Sequence, residues 1–227
     1  MIRPGLALAV PCLTALACTP AWASVGCDLN YPDRDVARLF PGSTGFKTVE
    51  VDIQKLGGDP LLARVESRMR DKLHGLYESI DVPYTIYVIY RNKDIIGYIH
   101  GVNQKGRFGG IQIFLVLSLE LRIKTLYIQK MSGTYAGSFR QADFEGQFTG
   151  LTLVDFDRYD VATGQVTGKL AGIKTPEPGA EFDFSRTLRG IKKNLILVTE
   201  FFTISPDLAT KLLTSPIKKP SLPGGGQ

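Results

Sequence analysis

The sequence predicts an α+β domain, a twisted antiparallel sheet with helices packed on it. Three observations carry that expectation. Between residues 84 and 130, four β-rich segments follow one another, separated by short turn sequences rather than by helices. Helical periodicity falls in flanking stretches, residues 32–42 and 59–77 before the β-rich run and 184–202 after it. The composition is that of a globular chain, with 44% hydrophobic and 22% charged residues among 227. That length buries a core without help from disulfides.

Taken in order, residues 1–23 read as a secretory signal. Arg3 supplies the positive start, Leu6 to Cys18 the apolar stretch, and Ala21-Trp22-Ala23 an A-x-A cleavage site. Pro11 and Pro20 interrupt the stretch too often for a spanning helix. "ALAC", ending at Cys18, is an imperfect lipobox, so a lipid tether at Cys18 stands beside cleavage after Ala23. The expected location is the cell envelope, periplasmic or membrane-associated. With Cys12 and Cys18 in the signal, only Cys27 remains in the mature chain. That leaves no disulfide framework and no Cys/His metal spacing. No C-x-x-C-H occurs, so bonded c-type haem is excluded.

"PDRDVARLFPG" (32–42) reads as a short helix capped by Asp33 and stopped by Pro41-Gly42. "FKTVEVDIQKL" alternates Val49, Val51 and Ile53 with charged residues, as a half-buried strand does. Asp59 and Pro60 open a helix whose apolar period runs Leu62, Val65, Met69, Leu73. Two segments around "RNKD" predict a hairpin. Strands are expected at about 111–118 and 123–130, joined by "LELR", a weak turn sequence. Residues 132–183 read as irregular, a length that is uncommon within a compact domain. The last helix repeats Phe184, Leu188, Ile191, Leu195, Val198 and Phe202, with Asp183 or Ser185 at its start. Lys192 and Lys193 are placed on its other side. Residues 24–82 form an N-terminal helix-strand-helix segment, 83–205 the main domain, and 206–227 a tail expected to be mobile.

The net charge of +5 is spread along the chain. With no Arg-rich arm and no zinc spacing, nucleic acid is not an expected partner. A weak peripheral contact with an anionic membrane surface is compatible with that charge. His74, assigned to the second helix, and His100, at a strand end, are read as surface or packing histidines. No G-x-S-x-G, no H-E-x-x-H and no Cys/His pair points to hydrolysis, so no catalytic residues are assigned.

Several segments in sequence carry a resemblance. They are "IIGYIHGV" (95–102), "GRFGGIQIFLVLSLELRIKTLYIQK" (106–130), "FRQADFEGQFTGLTL" (139–153) and "PGAEFDFSRTLRGIKKNLILV" (178–198), with "DVARLFPGSTGF" (35–46) upstream. Together they resemble the FMN-binding domain family. That family includes flavin-carrying subunits of the Rnf and sodium-pumping NADH:quinone reductase complexes and the periplasmic domain of the nitrous-oxide-reductase regulator. The resemblance implies an FMN-binding-domain-like fold, a role in envelope electron transfer, and partners among membrane or periplasmic redox subunits.

In the family, FMN is esterified to the threonine of an S-G-A-T motif at a helix start, where free N–H groups and the helix dipole favour a phosphate. Here Gly179 and Ala180 match, Pro178 replaces the serine, and Glu181 replaces the threonine. A carboxylate cannot form that ester, so covalent attachment at this position is expected to be lost. Two readings remain open: non-covalent FMN in the same cleft, or a flavin-free accessory subunit in which Glu181 complements the helix dipole. Thr149 and Thr152 in "TGLT" are a second acceptor-like sequence, and Thr175 a weaker one. Gly106, Gly109 and Gly110 either let a flavin approach the backbone or serve as turn glycines.

Overall fold

The computed structural model describes residues 26–78, 80, 82–208 and 217–218. The expected signal, with Cys12 and Cys18, lies outside them.

Five strands form one sheet: β1 (Gly45–Val51), β2 (Tyr84–Arg91), β3 (Asp94–Gly106), β4 (Gly109–Leu117) and β5 (Ile123–Lys130). They run in chain order and every neighbouring pair is antiparallel. The architecture is therefore α+β, as the run of β-rich segments predicts. The sheet also joins the segment before residue 83 to the segment after it, since β1 pairs with β2 along its whole length.

Both faces of the sheet are covered. Period-2 alternation sends Ile111, Ile113, Leu115 and Leu117 of β4 to one side and Phe114 and Val116 to the other. On the second side lies α1 (Pro32–Leu39), with Val36, Leu39 and Phe40 among the buried residues. On the first lies α6 (Glu181–Ile204), a 24-residue helix resting on β3 and β4. Two further helices, α3 (Gly58–Met69) and the single turn α5 (Leu153–Phe156), pack on α6. From residue 187 to 198 every side chain of α6 is buried. The apolar residues of the last helix fall where its period places them, but Lys192 and Lys193 do not face solvent. They are 2% and 1% exposed: Lys192 donates to the Tyr159 carbonyl beneath the outer layer, and Lys193 reaches Glu78 and the Asn103 carbonyl on the sheet side.

Other expectations change in detail. Tyr31, not Asp33, stands at the N-cap of α1, while the Asp35 carboxylate accepts from the Tyr31 N–H. The second helix starts at Gly58, after the short α2 (Ile53–Leu56), and stops at Met69, where Arg70 turns left-handed with φ 54°. Leu73 and His74 thus fall in a loop, and its buried apolar residues are Leu61, Val65 and Met69. The weak "LELR" turn closes its hairpin with Leu121 at φ 56°. The stretch 132–183 is folded rather than irregular. It holds α4 (Ala142–Gly146), α5 and two 3₁₀ turns, and it delivers Phe139, Phe144, Phe148, Phe156 and Leu170 to the core. Beyond α6, the described pair Ile217–Lys218 is tied down, with Lys218 and Phe46 exchanging both backbone hydrogen bonds at 3.0 Å.

Candidate functional site

Where α6 begins, the β3–β4 turn and the loop 70–78 converge on it. The turn has two residues, Arg107 and Phe108, between paired Gly106 and Gly109. Its Arg107 N–H donates to Asp183 Oδ1 at 2.8 Å. Asp183 therefore holds the hairpin rather than capping the helix, whose N-cap is Ala180. Ser185 does not cap it either; its hydroxyl donates to the Phe182 carbonyl at 2.7 Å. Gly179 takes φ 90°, which a side chain would resist, and the Tyr135 hydroxyl fills the place where its Cβ would stand. Ala180 is buried at 1%.

Glu181 is exposed, and its Oε1 accepts from the Gly179 N–H at 3.0 Å. Backbone N–H donation and nearby Arg107 hold its carboxyl below the ordinary range. The glutamate thus occupies one of the amides that a phosphate at this helix start would use.

Beside the helix start is a cleft of about 550 Å³. One wall is the face of α6 that carries Phe182, Arg186 and Arg189, spaced four and three residues apart. Opposite stand Leu76 and Tyr77 of the 3₁₀ turn Leu76–Glu78, with Lys105 of β3 at the rim. Gly110 lies against the Tyr77 ring, where a built Cβ would come within 2.6 Å of Cε1. The space left by that glycine is therefore taken by a tyrosine. Gly109, at φ 132°, is a turn glycine.

The floor is an ion-pair network. Arg189 binds both carboxylate oxygens of Glu78, and it also donates to Asp71 Oδ2 at 2.7 Å, Gln104 Oε1 at 2.8 Å and the Lys72 carbonyl at 3.1 Å. Lys193 donates to Glu78 Oε1 at 2.7 Å and to the Asn103 carbonyl at 2.5 Å. Burial by itself would raise the Glu78 carboxyl, but Lys193 and Arg189 outweigh it and hold the group below its usual value. Burial pulls the Lys193 ammonium down, while bonds to Glu78 carry Arg189 above its usual value against the burial.

One turn further along α6, the Asn194 amide donates to the carbonyls of His100 and Ile113, at 2.9 and 3.2 Å. Its Oδ1 therefore faces His100 Nδ1, 2.8 Å away, as an acceptor. The imidazole is protonated at Nδ1, and Nε2 is buried with no hydrogen-bond partner among the described residues. Burial lowers His100 to about 4, so the ring is neutral.

Of the sequence-predicted site residues, the structure gathers Gly109, Gly110, Gly179, Ala180, Glu181 and Ser185 around the start of α6. The two threonines are elsewhere. Thr149 is exposed and donates to the Lys124 carbonyl at 3.3 Å; Thr152 donates to Asp155 Oδ2 at 2.9 Å at the start of α5. Neither lines the cleft. Thr175 donates to the Glu177 carbonyl at 3.2 Å.

No protein family, curated protein or solved structure shows a significant match to the chain. Its chemistry is read from this geometry alone.

The buried network is what sequence reasoning does not find. Its signal was nonetheless there, since Arg189 and Lys193 lie four apart within the apolar run 188–198. Among the described residues, no group of three or more His, Cys, Asp or Glu is placed to hold a metal ion. None of their helices is long and apolar enough to cross a membrane.

Proposed function

We propose that this chain is an exported, FMN-binding-domain-like protein of the cell envelope, serving electron transfer without a covalently attached flavin. The observation that carries the reading is the cleft at the start of α6, together with Glu181 turned back onto the Gly179 N–H. The carboxylate replaces the ester-forming hydroxyl and satisfies the helix start itself, while the neighbouring space stays open.

The residues present fit a flavin mononucleotide. A volume of about 550 Å³ is within the range of small-ligand sites. Phe182 and Tyr77 offer aromatic faces for a planar ring. Lys105 and Arg186 make no ion pair among the described residues and are suited to a phosphate. When bound, the flavin would supply one- or two-electron chemistry, and the protein binding, orientation and electrostatics. The floor of Asp71 and Glu78 against Arg189 and Lys193, two acids with two cations, lies beneath those wall residues.

An absorption spectrum of the exported protein, made in cells that contain a flavin transferase and recorded before and after acid precipitation, tests this. Yellow colour released into the supernatant is expected. Colour retained in the precipitate would mean an ester elsewhere in the chain. A colourless folded protein that takes up no added FMN would favour the accessory-subunit reading, for which Phe108, exposed at 60%, is the specific observation.

A further inference from the structure

We infer that the end of the molecule formed by the β3–β4 turn, the first turn of α6 and the 3₁₀ turn Leu76–Glu78 docks on an anionic phospholipid bilayer. The surface shares Phe182, Arg186 and Lys105 with the proposed flavin site, so the vesicle test is made both with and without added FMN, and binding of the flavin-free protein is what the inference requires.

Three large apolar side chains are exposed at this end: Phe108 at 60%, Leu76 at 44% and Phe182 at 40%. They stand on three separate chain tips that are fastened together. The Arg107–Asp183 hydrogen bond joins the hairpin to α6, and the Tyr77 ring against Gly110 joins the 3₁₀ turn to the hairpin. Leu76 and Phe182 share the rim of the cleft.

Cations are interleaved with them. The guanidinium carbons of Arg107 and Arg186 lie 5.3 and 5.2 Å from the centroid of the Phe182 ring. Exposed Lys105 is two residues from Arg107. None of the three has an ion-pair partner among the described residues. Asp71 and Glu78 are paired with Arg189 and Lys193, whereas Asp183 and Glu181 accept from the Arg107 and Gly179 N–H groups and keep their charge. Three cations, Lys105, Arg107 and Arg186, thus face two carboxylates, of which Asp183 is buried and Glu181 exposed, leaving a modest positive excess around an apolar centre.

Aromatic rings with arginine and lysine at the same level suit the headgroup and upper acyl region of a bilayer, where the ring enters and the cation meets phosphate. The tips offer no free strand edge and no long helical groove, the two features by which a peptide segment is usually taken up. A lipid surface needs neither.

The test is co-sedimentation of the protein, as isolated from the producing cells, with vesicles of phosphatidylcholine alone or mixed with phosphatidylglycerol. Binding is expected only to the mixed vesicles and to fall with added salt. Replacing Phe108 and Phe182 together by serine should weaken it by about tenfold. Arg107→Glu and Arg186→Glu should each weaken it by at least about fivefold. Phe108→Trp supplies a fluorescent reporter, since the natural chain has a single tryptophan, Trp22; its emission should shift to the blue on binding. No sedimentation with the mixed vesicles would overturn the proposal. So would unchanged binding of the double serine variant, or binding of Phe108→Trp without an emission shift, because another surface would then be responsible. Capture of a soluble acidic protein by this patch with no vesicle binding would also overturn it, in favour of a protein interface.

Discussion

Arg189 on α6 grips both carboxylate oxygens of Glu78, 111 residues earlier in the chain. A buried pair of this kind is weak evidence of stability in itself, but removing one partner leaves a charge stranded in the interior. Glu78→Gln leaves Lys193 without its carboxylate and Arg189 with Asp71 alone, and is expected to cost about 3–5 kcal/mol in urea unfolding. Replacing the cluster together, by Glu78→Leu, Arg189→Met and Lys193→Met, should recover most of that loss. If the triple variant is no more stable than Glu78→Gln, the network has a role that apolar packing cannot take over.

His100 gives the stability a pH dependence of its own. Its ring is held at about 4 in the fold against an ordinary 6.5, so the unfolded chain binds the extra proton between those values. The contribution is complete above about 6.5 and is lost as pH falls toward 4, amounting to roughly 3 kcal/mol across the window. Glu78, held below the ordinary glutamate value of 4.5, loses its contribution only below that pH. Denaturant midpoints measured from pH 4 to 7 should therefore show a slope that flattens in His100→Gln, with the steeper acid loss below it retained.

At Gly190, α6 lies close against the sheet. A Cβ there would collide with Ile113 Cδ1 and come within 3.2 Å of the Gln104 Cβ. In an exposed helix, glycine to alanine stabilises, by up to about 1 kcal/mol. Here the sign should reverse, with Gly190→Ala costing about 1–3 kcal/mol through overpacking. A stabilised variant would mean that α6 slides outward without penalty.

How much of this was legible beforehand differs by element. The sheet could be read because each strand carries its own period of two and "RNKD" and the glycines of 106–110 mark its turns. The register of α6 could be read from Leu188, Ile191, Leu195 and Val198. Its polar side could not, because Lys192 and Lys193 follow the pattern of a solvated face, and what buries them is distant in sequence: the layer built from 132–183 over Lys192, and Glu78 with β3 around Lys193. That layer escaped notice since its aromatics, Phe139, Phe144, Phe148 and Phe156, are spaced by short turns rather than by a regular period. For the candidate site, local sequence identified the helix start and the hairpin glycines. The cleft wall at Leu76 and Tyr77 is brought in by Glu78, a long-range pairing with no local signature.

Ligand binding should separate the cleft cations Lys105 and Arg186 from the ring-holding Phe182. Arg186→Ala or Lys105→Ala should weaken FMN binding by about 10-fold or more, the worth of a hydrogen bond to a charged group. Riboflavin, which lacks the phosphate, should bind the variants and the natural protein alike. Phe182→Ala should weaken both ligands. Fluorescence titration with each flavin checks this, and equal losses for FMN and riboflavin in the Arg186 variant would remove the phosphate from that position.

The central place of α6 also bears on how the chain reaches its native state. The helix follows all five strands, yet it supplies the surface against which β3 and β4 pack and the cations that neutralise Glu78. A chain emerging from the ribosome or crossing a membrane N-terminus first presents one complete sheet face, with Ile113, Leu115 and Val102, before its cover exists. Such non-local contacts form late and slowly. The unfinished chain therefore needs a holding partner or rapid completion, because its bare sheet face is an aggregation site until residue 181 and the helix after it arrive.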